Sequence, residues 1–400
     1  MGSGTNTSNY YYNQLGRRQQ EAYHDIYEGL MSLSASFQVP ALSARELTDI
    51  YFLIRLDHPE IFYTVRFKYR SRQGADHVEL IPEYIFPKQK IIDHRNALEA
   101  RIKKLCRPAE GLSEKDKELY IHDFICKNIR YDKLKKPYSH EIIGSLGQGV
   151  AVCEGIAKAV RILCDRLGIW CIIALSDSNP EKNIKYRHAW NIVNIGGQYY
   201  HLDATFDNSL GRSAAENCGT DPGPTDKADK ADKAAQGQGN GTEDARAAQI
   251  KSGKNQQRSS AAASQGDIRY DYFNISDKQI FRDHEPVIWK VPECADGQHF
   301  YYLEKKLSFT KKEELEKRMK QAAKKAKPFL FHWRGGYMTR EIVKDIFDMI
   351  EACAVEKGLH AAVSLNWPQA VMLVNFRKEV EAEPVRLEEA NEGELYDAEE

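Results

Sequence analysis

Apolar positions along the chain fall into helical and strand-like periods in a definite order. Residues 17–33 place Ala22, Ile26, Leu30 and Leu33 on one side of a helix. A second helix starts behind Ser43, with Glu46 three residues on in a capping-box pattern. IFYTVRFKYRS and HVELIPEYIF then alternate as strands around a turn near Gln73-Gly74. From Lys88 the pattern is helical through Leu105. Ser113 then caps another helix, whose buried stripe is Leu119, Ile121, Phe124, Ile125 and Ile129. Ile156, Val160, Leu163 and Leu167 mark a further helix that Gly168 stops. WCIIALS reads as a strand, and RHAWNIVNI and QYYHLDATFDN as a hairpin turning at Gly196-Gly197.

Beyond the hairpin the periodicity fails. From about 211 to 266 the chain is built of Ala, Lys, Asp, Gln, Gly and Ser, with DKADKADKAA as a short repeat, and too few large apolar residues to form a core. We expect a disordered insert, either a tolerated surface insertion or a segment that gates a cleft or tethers a partner. Apolar patterning resumes at Tyr270. HFYYLEKKLSF reads as a strand, TKKEELEKRMKQAAKKAK as a helix with a solvated basic face, and FLFHWRGG as a strand. MTREIVKDIFDMIEACAVEKG reads as a long helix, and HAAVSLNWPQAVMLVNF as a hairpin around residues 366–368. The expected organisation is an N-terminal α+β unit over 1–87, a central domain over 88–295, a small α+β domain over 296–380 and a flexible acidic tail over 381–400.

Composition narrows the function classes. Fifty-seven basic residues against 58 acidic ones give a net charge of −1, which argues against nucleic acid or an anionic membrane as partner. The N-terminal residues lack an apolar signal core and no run reaches membrane-spanning length, so a cytoplasmic protein is expected. Eight cysteines include no CxxC pair, so neither a zinc site nor a cofactor is expected. Cys164 and Cys171 read as small buried hydrophobes in a reducing compartment. His58 and His77 read as surface residues, and His122, beside a buried stripe, as a packed one.

Chemistry concentrates between Gly149 and Asn208. Cys153 stands at a helix start, where unpaired N–H groups and the helix dipole favour a thiolate, the nucleophilic form. By position alone it is equally a small packed residue. The hairpin favours the nucleophilic reading. With Gly196-Gly197 as the loop, Ile195 faces Gln198, His188 faces Thr205 and Asp203 faces Trp190. That makes Asp203 a diagonal neighbour of His188, within reach of an imidazole–carboxylate hydrogen bond. His188 can then take the proton of Cys153 while Asp203 orients the ring. His201, two residues from Asp203 on one strand, is the main alternative base, but parallel side chains suit it poorly to that carboxylate. Trp190 fills the sheet face, and Asp207 holds a loop or touches substrate. Gly144, Gly147 and Gly149 suit a chain approaching a cleft, which Tyr138, His140 and Gln148 could shape. The Cys153 N–H is the preferred oxyanion donor.

The segments AVCEGIAKA, RHAWNIV and YYHLDATFDN resemble the transglutaminase-like superfamily in the form common in bacterial proteins. The resemblance implies a Cys–His–Asp triad in that order, here Cys153, His188 and Asp203. It also implies an α+β fold with a papain/transglutaminase-like core, in which the helix carrying the nucleophile packs on an antiparallel sheet. The chemistries it implies run from protein cross-linking to peptide or amide hydrolysis and deglycosylation, and include inactive scaffolds. Glu154 stands where animal transglutaminases carry Trp, which turns the expectation from Gln–Lys cross-linking towards a protease or amidase. A thioacyl enzyme acting on a protein or peptide substrate is therefore expected. The alternative is a catalytically silent interaction module.

Overall fold

The computed structural model describes residues 9–182, 184, 187–216 and 268–378. The chain opens with α1 (Arg17–Met31), β1 (Phe37–Pro40), α2 (Ala44–Asp57), β2 (Thr64–Arg70) and β3 (His77–Tyr84), with β3 between β1 and β2 and antiparallel to both. The capping box is formed: Glu46 N–H donates to Ser43 Oγ at 3.2 Å, and Ser43 N–H donates to Glu46 Oε2 at 3.0 Å.

Then come α3 (Lys88–Cys106) and α4 (Glu114–Asn128), which Ser113 caps as its sequence implies. Two short parallel strands, β4 (Arg130–Tyr131) and β5 (Val150–Ala151), bracket a π-helical turn at Ile143–Gln148. Gly149 ends that turn at φ 68°, a backbone region that favours glycine. The central helix α5 (Cys153–Leu167) leads into β6 (Trp170–Ser176), β7 (His188–Ile195) and β8 (Gln198–Leu202). After these come α6 (Ala204–Glu216), β9 (Phe273–Ile275) and two four-residue helices, α7 (Asp277–Ile280) and α8 (Tyr301–Glu304). Strands β6-β7-β8-β9 form an antiparallel sheet in that order, and α5 lies on β6 and β7. The helix turns Ile156, Val160, Leu163 and Leu167 inward, each buried, as its periodicity predicts.

The C-terminal elements are β10 (Ser308–Phe309), α9 (Lys312–Lys324), β11 (Phe329–Trp333), α10 (Arg340–Val355), β12 (His360–Asn366) and β13 (Val371–Arg377). Their sheet order is β10-β11-β13-β12, with only the β10–β11 pair parallel. They enclose a core of their own between Phe309 and Phe376. The remaining apolar core runs without a break from Tyr11 through α5 and its sheet to Tyr302. The protein is thus a mixed helix and sheet structure with antiparallel sheets at its centre.

Four expectations need correction. HFYYLEKKLSF is not one strand but α8 followed by the two-residue β10. Tertiary anchors claim its aromatic run: Tyr301 stacks on Tyr270 with ring centroids 3.8 Å apart, and the Tyr302 hydroxyl donates to Asp271 at 2.7 Å. The hairpin strand ends at Leu202 rather than continuing to Asn208, so Asp203 and Thr205 lie beyond it and pair with neither Trp190 nor His188, although Ile195 does face Gln198. The low-complexity stretch read from 211 begins in helix, since α6 reaches Glu216. The rest of that insert and the acidic tail lie outside the described residues. His58 is buried, with its ring centroid 4.3 Å from Tyr27 and Nδ1 3.1 Å from Glu60 Oε1; His77 is exposed as read.

Candidate active site

Cys153 is the first residue of α5 and is half-buried, whereas the other described cysteines are all buried. Two close backbone approaches fix this helix start. Val152 N–H donates to Ser139 C=O at 3.0 Å, and that same carbonyl leaves no room for a Cβ at Gly155. A side chain at 155 would push the nucleophile's turn away from the preceding loop.

His188 opens β7 on the strand beside α5, and its Nε2 lies 2.6 Å from Asp203 Oδ2. The Cys153 thiol donates to the Arg187 carbonyl at 4.0 Å, one residue before His188, and is among the groups that raise the pKa of that ring. Asp203 holds Nε2, which leaves Nδ1 as the ring nitrogen for sulfur. The ring stacks on Trp190, with centroids 5.7 Å apart and planes at 19°, and meets Phe206 at 5.0 Å. Burial works against a charged imidazole here. Asp203 and then Cys153 outweigh it and raise the His188 pKa to about 10.

Asp203 is fully buried and sits between β8 and α6. Its Oδ1 accepts the Thr205 N–H at 2.8 Å and the Phe206 N–H at 3.1 Å, so the carboxylate caps α6. This capping explains why the strand stops at Leu202. Its Oδ2 is shared between His188 and a residue that the sequence did not single out: His284 Nε2 lies 2.9 Å away. Burial would raise the Asp203 pKa, but the two imidazoles hold it well below the usual carboxylate range. Eighty-one residues separate Asp203 from His284, across the insert, and only the Asp283-His284 pair marks the place in the sequence.

The other candidates have structural partners. His201 accepts the Trp190 indole N–H on Nδ1 at 2.9 Å and meets Asp277 through Nε2 at 2.7 Å. It is therefore a neutral ring turned away from Asp203, and burial lowers its pKa. Asp207 is buried against His122 at 3.0 Å and accepts the N–H groups of Asp271 and Tyr272, so it holds the chain that follows the insert. His140 Nδ1 lies 3.1 Å from Glu154 Oε2, and Gln148 is exposed. Tyr131, on the strand paired with β5, faces the site; burial first, and then Cys153, push its phenol up to about 12.

Glu154 belongs to a buried ion cluster. Lys158 Nζ lies 2.7 Å from Glu154 Oε1 and 2.8 Å from Glu141 Oε2, and Arg55 of α2 pairs with Glu141 and reaches Glu154 at 3.5 Å. The N-terminal elements therefore reach to within one residue of the thiol. Burial disfavours the Glu154 charge, but Lys158, His140 and Arg55 together hold its pKa far below the carboxylate range.

Among the described residues, two groups bring ligand-type atoms within 4.8 Å of one another: His188–Asp203–His284 and His201–Asp277–Cys294. Hydrogen bonds between the residues account for the first convergence, and the His201–Asp277 bond for much of the second.

Residues 103–204 match the family model of the transglutaminase-like superfamily, a span that contains Cys153, His188 and Asp203. The chain carries a transglutaminase-like domain. A search of curated proteins finds no match. Among solved structures the chain is similar to a protein described as a TGase, at 13% identity and a TM-score of 0.25, with 36% of this chain and 44% of that one covered. It is also similar to a candidate cysteine protease from Cytophaga hutchinsonii, at 17% identity and a TM-score of 0.23, with 35% and 62% covered. A candidate protease from Parabacteroides distasonis matches at 13% identity and a TM-score of 0.21, with 35% and 36% covered. The chain thus spans less than two thirds of the length of these relatives. His284 lies outside the segment matched to the transglutaminase-like domain. No described helix is long and apolar enough to cross a membrane.

Proposed function

We propose that the transglutaminase-like domain is a cysteine acyl-transfer enzyme, with Cys153 as nucleophile, His188 as proton shuttle and Asp203 as the group that orients the ring. The reading rests on one observation: a half-buried thiol at a helix N-terminus lies against the backbone of Arg187, one residue before a His188 ring that meets a buried carboxylate at 2.6 Å. A thiolate–imidazolium pair is the state such a site favours. The sulfur attacks the carbonyl carbon of a peptide or carboxamide, a C–S bond forms, and the electron pair moves onto oxygen. First-turn N–H groups of α5, which have no intrahelical partner, face that oxyanion. As the C–N bond breaks, the His188 proton passes to the leaving amine. A second nucleophile then gives its proton to His188, attacks the thioacyl carbon and releases the sulfur.

Water is the preferred second nucleophile, which makes the enzyme a protease or amidase; an amine acceptor would make it a transamidase. Protein or peptide substrates fit this chemistry, and the seven described cysteines, all free thiols, fit a cytoplasmic setting. The test is iodoacetamide labelling of Cys153 at neutral pH, followed by mass-spectrometric capture of a thioacyl adduct from a peptide library. His188→Gln should slow labelling at least about tenfold. Equal labelling of wild type and variant, with no adduct, would leave the silent interaction module as the reading.

A further inference from the structure

We propose that His284 is a buried imidazolium that shares Asp203 with His188 and so governs how firmly that carboxylate holds the His188 proton. The inference rests on the acyl-transfer reading of the site, but its central observation stands apart from it. A neutral imidazole donates from one nitrogen and accepts on the other, whereas a carboxylate only accepts. Both His284 nitrogens face carboxylate oxygens: Nε2 lies 2.9 Å from Asp203 Oδ2, and Nδ1 lies 2.8 Å from Asp283 Oδ1. Both nitrogens must therefore carry protons, and the ring is a cation.

Asp283 also accepts the Tyr272 hydroxyl. The rings of Trp190, Phe206 and Tyr272 cover His284 at 5.2, 4.5 and 5.4 Å, and His188 stands 5.2 Å away. The ionisable groups around His284 are Asp203, Asp283, Tyr272 and His188, with His201 beyond Trp190. Burial disfavours its charge, but Asp203 and Asp283 more than compensate and raise its pKa.

This cation has a consequence for the shuttle. Asp203 directs one oxygen at two rings, so the His284 charge offsets part of the field that Asp203 exerts on His188. Without it, Asp203 would stabilise the His188 imidazolium unopposed, and the proton needed by the leaving amine would be held more tightly. A side-chain amide at 284 would supply the same hydrogen bond to Asp203 without the charge. His284 is a positioning residue: it acts through Asp203 and does not meet the thiol.

The test uses the full chain with histidines labelled for NMR and His188 assigned by His188→Gln. At pH 7 the His284 ring nitrogens of the wild type should report the doubly protonated form. In His284→Gln, the His188 titration, followed from pH 7 to 11, should move up by about one pH unit or more. The alkaline limb of Cys153 labelling by iodoacetamide should move with it. A purely structural His284 would lower the melting temperature and leave the His188 titration where it was, which would overturn the proposal. Should His284→Gln fail to fold, the wild-type spectrum still decides: a neutral His284 tautomer at pH 7 ends the inference. Labelling of Cys153 that ignores His188→Gln in the wild-type background would instead count against the acyl-transfer reading, and leaves the His284 charge to be judged by its own spectrum.

Discussion

Glu154 Oε1 lies 2.7 Å from Lys158 Nζ, a buried ion pair one turn along the helix that begins at Cys153. Lys158 and Glu141 are wholly shielded from water, and Arg55 reaches the cluster from α2. Buried charges of this kind are costly to desolvate and tolerable only while every member keeps its partners.

Lys158→Met should therefore destabilise the protein by about 3–5 kcal/mol, because it leaves two buried carboxylates sharing one guanidinium. Urea unfolding followed by far-UV circular dichroism measures it. Combining Lys158→Met with Glu141→Leu should recover a large part of the loss, since the paired charges then leave together. Additive losses in the double variant would mean that the two residues are not energetically coupled.

The His188–Asp203 pair predicts a stability that depends on pH in a definite direction. The His188 pKa rises from 6.5 to about 10 on folding. Its stabilising contribution is thus fully present below pH 6.5 and is lost as the pH climbs through about 10. Asp203, whose pKa falls, contributes fully above its unfolded value and loses that contribution in acid. The stability difference between wild type and His188→Gln should be largest at about pH 6 and shrink by a few kcal/mol by about pH 10–11, at roughly 1.4 kcal/mol for each pH unit separating the folded and unfolded pKa values. A difference that is flat across this range would contradict the ion pair.

His201 gives the matching control. Its neutral ring joins Trp190 to Asp277, so His201→Ala leaves an indole N–H and a carboxylate without their partner. A loss of about 2–4 kcal/mol in unfolding free energy is expected. Cys153 labelling by iodoacetamide in the folded variant should keep its dependence on His188. If labelling fell as far as in His188→Gln, His201 would have to be reassigned as a base.

Local rules made much of the fold legible. The apolar period of α5 is fixed by Ile156, Val160, Leu163 and Leu167, and its end by Gly168, which adopts φ 77° as the stop requires. The turn at Gly196-Gly197 set the register of β7 against β8. The same rules failed where a side chain's partner lay far along the chain. Asp203 looked like a strand residue because its neighbours alternate, yet its carboxylate caps α6 and ends the strand. His58 looked like a surface residue until Tyr27 packed over it.

By itself the sequence put Cys153 at a helix start and His188 on a hairpin strand, because short-range periodicity sets both, and it marked Asp203 as the carboxylate that follows. Only the tertiary structure decided what charge those residues work in. His284 and Arg55 reach Asp203 and Glu154 across 81 and 99 residues of chain, and no local pattern records a polar contact made at that distance. Burial then fixes the balance of charge: inside the protein, each imidazolium and carboxylate persists only through the partner that the fold delivers to it.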